Sequence, residues 1–465
     1  MQIKTKDIPI DLKNPFKHDL LDRKIEIENI SSIVTSISAP LVMSIDSPWG
    51  TGKTTFIKMW RAHLESQGVT SIYFNAWESD YAEDPLVALV AELDRWVKTL
   101  DNPSLTEGGW KKAKSLLPGI AKSAAVTAAK IATFGGLDIE KEYEKATADF
   151  VGGTVNDLVD SFNVQTSAIQ QFKEIVENTI SVLGDEQKNL LIFVDELDRC
   201  RPTYAIELLE RIKHLFNIDR IVFVLSTDIE QLSHSICAVY GNNFNARSYL
   251  QRFIDIDYSL KESENKSYIN SLIHSLSIDD YFSNRREGRY EEEHLVDCCN
   301  IFSTRFDLSL RGINLLLTRV RLILSSVPSN HYLYEPLLIS LVVIREHNPE
   351  LYTRYINDPK IADEVIDYLA KDLPSSDLNS FPFSLISGYL IAPNLDFSND
   401  SRFKELLAPY KKIMSEESHK NSDLGYAADN VIRIAGSTNG MGRSVNLKTC
   451  TERIELLHRI KIEKN

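Results

Sequence analysis

The sequence predicts an α/β fold, a parallel sheet flanked by helices, carrying a helical insertion and followed by a region that is all helix. Three observations predict it. Short apolar runs alternate with stretches of helical periodicity from residue 38 to about 260, the alternation that builds a parallel sheet. Runs such as Leu190-Leu191-Ile192-Phe193-Val194 are apolar at every position, as a strand covered on both faces must be. From 262 onward the apolar residues recur at helical spacing, and Pro, Asn and Ser mark the loops.

The elements follow in order. Residues 1–35 read as a lead-in, a Pro-containing extended piece and then a helix near Arg23 to Val34. Strands are expected at Leu41–Ile45, Ser71–Asn75, Leu190–Val194, Ile221–Leu225 and Phe253–Tyr258, so the sheet domain spans 36–261. The gap between the second and third strands is too long for one crossover. Its Gly-, Ala- and Lys-rich part, about 102–162, includes Gly108-Gly109, Gly135-Gly136 and Gly152-Gly153. It reads as inserted helices with flexible joints, either a surface for a partner or membrane, or plain helical decoration. In the helical region, 262–465, Arg305 to Val327 is amphipathic and Pro336 to Arg345 is apolar enough to be buried. Gly436 to Ser444 is Gly-rich, but no strand leads into it, so it reads as a loop.

A chain of 465 residues has ample length for two or three packed domains. Its 52 Lys and Arg stand against 66 Asp and Glu, a net charge of −14 that argues against bulk nucleic-acid binding. The five cysteines lack the paired spacing of zinc ligands and fit reduced thiols, hence a cytoplasmic setting. The N-terminus lacks the apolar core of a signal peptide, and no apolar run reaches the roughly 20 residues of a spanning helix. Gly119 to Leu137 comes nearest, interrupted by Lys122 and Lys130.

The first strand leads into Ser47-Pro48-Trp49-Gly50-Thr51-Gly52-Lys53-Thr54-Thr55, and Phe56, Ile57, Trp60 and Leu64 then recur at helical spacing. A strand, a small-residue loop and a helix start make a cradle for a triphosphate. Glycines let backbone N–H groups approach the anion, the helix N-terminus adds its dipole, and a lysine reaches the outer phosphates. Pro48, Trp49, Gly50, Thr51, Gly52, Lys53, Thr54 and Thr55 are therefore the candidate nucleotide-binding residues, with the Thr54 hydroxyl on Mg²⁺. Ser47 stands where the eight-residue motif asks for glycine, while Gly50 and Gly52 keep the positions of close approach.

Leu190 to Val194 ends in Asp195-Glu196, and ligands of such sheets bind beyond the carboxyl ends of the strands. Asp195 is placed to hold Mg²⁺ and Glu196 to orient or deprotonate the attacking water, with Lys53 completing the catalytic set. Arg199 and Arg201 either steady charge on a transferring phosphoryl group or pair with Asp198 and Glu207 as surface structure. Thr227, at the end of the fourth strand, and Arg252 and Arg311 are candidate sensors of the γ-phosphate. Asn265-Lys266-Ser267-Tyr268 lacks the final Asp of a guanine-reading motif and follows no strand, which favours ATP over GTP.

Taken together these segments resemble the KAP family of P-loop NTPases. Pro48 to Thr54 is similar to the family's tryptophan-bearing phosphate loop, and Phe74-Asn75-Ala76-Trp77 to its Phe-Asn-Ala-Trp element. Asp195-Glu196-Leu197-Asp198-Arg199-Cys200 resembles its acidic segment, with Glu196 in place of a second Asp. Val224 to Asp228 with Gln231-Leu232, Tyr249 to Phe253, and Leu308 to Arg311 fit the elements that follow, over roughly residues 15 to 350. The resemblance implies an ASCE-type P-loop sheet, ATP binding and hydrolysis, and nucleotide-dependent contacts with other proteins. Some relatives act in phage exclusion, others are membrane-associated scaffolds, and many carry membrane helices where this chain has its polar insertion. Without the resemblance, Trp77 reads as a core residue.

The reading that results is a slowly hydrolysing ATPase, with Mg²⁺, that switches protein partners by its nucleotide state. A nucleotide-dependent scaffold without hydrolysis and a phosphotransferase are its competitors. A homo-oligomer follows if an arginine of a neighbouring copy completes the site.

Overall fold

The computed structural model describes residues 10–37, 40–100, 102, 108–120, 155–183, 189–261, 265–285, 287–328, 333–393, 401–419, 421–437 and 447–459. Between Glu262 and Ser263 the chain divides into two compact units.

The first unit is built on five parallel strands: β1 (Leu41–Asp46), β2 (Ser71–Asn75), β3 (Leu190–Asp195), β4 (Ile221–Thr227) and β5 (Ile256–Ser259). Their spatial order is β2-β3-β4-β1-β5. The register sets Asp195 opposite Asn75 and Ser226, and Asp46 opposite Thr227, so the carboxyl ends of four strands form one edge. Because side chains alternate across a strand, the sheet feeds two cores. Met43, Ile45, Leu191, Phe193, Val222 and Val224 pack with α1 (Lys24–Ser36) and α2 (Lys53–Ser66). Val42, Phe74, Ile192, Val194, Phe223 and Leu225 pack on the other face. That face is covered by α3 (Pro85–Thr99), a helix at 110–120 (α4), α5 (Val155–Ile180), α6 (Pro202–Leu215) and α7 (Ile229–Tyr240). Trp60 of α2 is fully buried and its indole N–H donates to Ser31 Oγ at 2.9 Å. The Asn189 amide donates to the carbonyls of Val34 and Ile37 at 2.9 and 3.0 Å, pinning the end of α1 to the start of β3.

The fifth strand begins at Ile256, not Phe253. Phe253 is held in a turn, its N–H on the Leu250 carbonyl at 2.9 Å, and the chain joins β1 only once the Asp255 N–H reaches the Val42 carbonyl at 2.8 Å. Within the insertion, α4 is anchored to α3: Trp110 Nε1 donates to Asp94 Oδ1 at 2.8 Å and Lys114 to the same carboxylate at 2.6 Å. The glycine pairs at 135–136 and 152–153, and the apolar run beyond Ile120, lie outside the described residues.

The second unit is helical throughout its described residues. The amphipathic stretch from Arg305 to Val327 is not one helix. One helix ends at Arg305, Asp307 takes a left-handed conformation (φ 46°), and Ser309 caps the next, Leu310–Ser325. Pro336 to Ile344, within the helix Glu335–His347, are all buried. Gly436 and Ser437, expected in a loop, instead end the helix Asp423–Ser437, and the rest of the Gly-rich stretch lies outside the described residues.

Candidate nucleotide site

The chain leaves the sheet at Ser47, whose N–H still donates to the Thr227 carbonyl at 3.3 Å. Gly50 and Gly52 then turn with φ of 82° and 92°, a region that a Cβ makes costly. Gly52 is the N-cap of α2, and no side chain caps that helix. Its first N–H groups thus lack a side-chain acceptor, the condition in which a helix N-terminus takes an anion. Thr54 and Thr55 sit half-buried in its first turn. The Ser47 hydroxyl donates to Thr51 Oγ1 at 2.7 Å, and Thr51 donates to the Pro48 carbonyl at 2.8 Å. The serine in the glycine's place is a brace across the loop.

Lys53 Nζ donates to the carbonyls of Ser47 and, at 3.2 Å, Pro48. Burial pulls its ammonium below the ordinary lysine pKa, against the attraction of Asp198, Asp228, Asp195 and Asp46. One lysine thus shares its surroundings with four carboxylates. Burial raises the Asp46 carboxyl, with Asp257 and Asp228 adding repulsion, although the Ile229 N–H donates to it at 2.9 Å. Burial likewise raises Asp198, although the Trp49 indole N–H donates to its carboxylate and Lys53 stands nearby. Trp49 itself is 45% exposed.

Asp195 is 1% exposed and accepts from the Tyr73 hydroxyl and from the Glu196 N–H, each at 3.0 Å. Burial, and then Asp195 itself, raise the Tyr73 hydroxyl so that it stays a donor. Strands β3 and β1 are separated by β4, a gap of about 10 Å at the usual strand spacing. The strand in that gap, β4, ends in Ser226 and Thr227, whose Oγ and Oγ1 are both buried and have no hydrogen-bond partner among the described residues. A buried hydroxyl left unpaired costs about 1–3 kcal/mol, which a bound oxygen ligand would relieve.

Glu196 adopts a left-handed conformation with φ 61°. Its Oε2 accepts from Asn75 Nδ2 at 3.2 Å and its Oε1 from Arg199 Nη1. Asn75 belongs to β2, so this carboxylate lies on the side of β3 away from the phosphate loop. The Arg199 guanidinium lies 5.8 Å from the centre of the Trp77 ring. Trp77 is 53% exposed, which corrects its reading as core: it falls in the turn after β2, where the side chain leaves the sheet. Arg201 binds Asp80 through its backbone N–H (2.9 Å) and Nε (2.8 Å). The hydrogen-bond partners of the two arginines are thus Glu196 and Asp80, not Asp198 and Glu207.

The described site therefore joins Lys53, Asp195, Asp198, Asp228, Asp46 and Thr227. Arg252 is exposed in the turn before β5, and Arg311 is exposed in the first turn of its helix in the second unit. Sequence reasoning missed the parts played by Asn75, Tyr73, Asp46 and Asp228. Asn75, Asp46 and Asp228 stand at or just past a carboxyl end of a strand, the signal that could have found them.

A glycine-turned loop, an uncapped helix start and an acidic strand end two strands away define a P-loop nucleotide-binding domain. The chain belongs to the KAP family: the model of the KAP family P-loop domain matches residues 23–327, past the unit boundary at Glu262. An uncharacterized protein of Methanocaldococcus jannaschii is 32% identical over 91 residues, 19% of this chain and 46% of that relative, so the match spans less than half the relative's length. The solved Aeropyrum pernix ORC2 protein (ADPNP–ADP complexes) is 14% identical with a TM-score of 0.33, over 99% of this chain and 98% of that one. No helix among the described residues is long and apolar enough to cross a membrane.

Proposed function

We propose that this chain binds ATP with Mg²⁺, hydrolyses it slowly, and uses the nucleotide state to change its contacts with protein partners. The observation that carries the proposal is the uncapped start of α2 beside Lys53, whose ammonium feels the acids Asp46, Asp195, Asp198 and Asp228 at or just past the ends of β1, β3 and β4. An anion there replaces the Ser47 and Pro48 carbonyls as the partner of the ammonium. Mg²⁺ fits the donor set, which is oxygen throughout and richer in carboxylates than one lysine can balance. Thr54 and Asp195 would hold it, and when bound it neutralises charge on the phosphates. Thr227, with its unpaired hydroxyl, would contact the γ-phosphate, and Glu196 would take a proton from water. A cytoplasmic setting and a role in antiviral defence rest on composition and family kinship.

The test is nucleotide binding and phosphate release by the full chain. Lys53→Ala should weaken ATP binding by roughly 10- to 100-fold, the worth of charged hydrogen bonds. Glu196→Gln should keep binding and lose turnover by about 10²-fold or more. Turnover retained by both variants overturns the proposal. Phosphate appearing on an added substrate identifies a phosphotransferase, and binding without any phosphate release identifies a scaffold.

A further inference from the structure

Glu196 is the acid the proposed hydrolysis needs, yet its carboxylate is engaged elsewhere. Both oxygens accept hydrogen bonds, one from Asn75 and one from Arg199. The donors fix a direction. Asn75 ends β2, the strand on the far side of β3 from β4 and β1, whereas the phosphate loop follows β1. A carboxylate bonded to Asn75 must cross the end of β3 before it can meet water beside a γ-phosphate. The Arg199 side chain is 27% exposed, and it meets Glu196 and the exposed Trp77 ring.

We propose that Arg199, with Asn75, is a latch that holds Glu196 in an idle position, and that hydrolysis waits on its release. The inference rests on the reading of Glu196 as the base. In the idle position the carboxylate accepts hydrogen bonds from Asn75 and Arg199. Released, it takes a proton from water as the water oxygen bonds to the γ-phosphorus and the bond from that phosphorus to the bridging oxygen breaks, giving ADP and inorganic phosphate. Arg199 is then a positioning residue that acts against turnover. This is opposite in sign to an arginine that steadies the transferring group. Trp77 supports the latch by stacking on the guanidinium, and its exposure leaves the release point open to solvent.

The experiment is steady-state ATP turnover by the full chain, with thermal unfolding to confirm that each variant folds. Arg199→Ala should raise kcat about tenfold, the lower end of what a charged hydrogen bond is worth, and leave KM unchanged. Arg199→Lys, which keeps the charge but loses the planar fork, should fall between the two. Trp77→Ala should give a smaller rise, and Arg199→Ala combined with Glu196→Gln should return turnover to the level of Glu196→Gln alone. If Arg199→Ala does not fold, Asn75→Ala carries the same test through the other donor. A folded Arg199→Ala protein with kcat equal to or below wild type overturns the latch. If wild type and Arg199→Ala both bind ATP and neither releases phosphate, the hydrolase reading fails and the latch fails with it.

Discussion

The Trp49 indole N–H donates to the Asp198 carboxylate, and that bond joins the phosphate loop to the segment after β3. The two residues are 149 positions apart in the first unit, and each follows a strand, β1 or β3, that pairs with β4. Asp198 is buried, so losing a donor leaves a carboxylate short of partners rather than solvated.

Trp49→Phe keeps an aromatic ring and removes the donor. The expected result is a folded protein whose ATP affinity falls about tenfold, from a lost hydrogen bond to a charged group. Displacement of a fluorescent nucleotide measures it. Unchanged affinity would show that the bond does not shape the loop.

Asp195 carries the metal part of the proposal. Wild-type protein should bind ATP more tightly with Mg²⁺ than with EDTA, and Asp195→Asn should erase most of that difference, by about tenfold or more. Titrations with and without the metal decide it. An undiminished magnesium effect in the variant would move the metal elsewhere.

Asp94 offers a pH test of the insertion's anchor. Burial alone would raise its carboxyl, but hydrogen bonds from Lys114, Lys98 and Trp110 outweigh it and hold the pKa at about 2. A carboxyl depressed in the folded state adds stability above its unfolded value of 3.8, and that stability is lost as pH falls toward 2. Asp94→Asn should therefore be less stable than wild type at neutral pH, with the gap closing between pH 3.8 and about 2. Denaturant midpoints across that range give the comparison. A gap independent of pH would assign the loss to packing alone.

Much of the fold was legible because its signals are local. β2 runs from Ser71 to Asn75 as its pattern indicated, and β1, β3 and β4 differ from their apolar runs only by polar residues at the carboxyl end. Of those four extra residues, Asp46, Asp195 and Thr227 belong to the described site and Ser226 is the fourth. Phe253 misled because an apolar side chain can be buried from a turn as well as from a strand. The loop and the acids Asp195 and Glu196 were visible as motifs. What the side chains grip was not: Glu196 with Asn75, and Arg201 with Asp80, are pairs about 120 residues apart joined by strand order and turn geometry, which no local spacing encodes.

The strand order also bears on how the protein is made. β1 pairs with β4 and β5, and β2 pairs with β3, so the first two strands to leave the ribosome have no partner in each other. β2 waits for β3, complete at residue 195, and β1 for β4, complete at residue 227; until then the nascent chain carries strands with open edges, which expose it to misassembly. The triphosphate cradle is encoded early and becomes functional late, so a truncated product would own the lysine and lack Asp195, Asp198 and Asp228, three of the four acids around it.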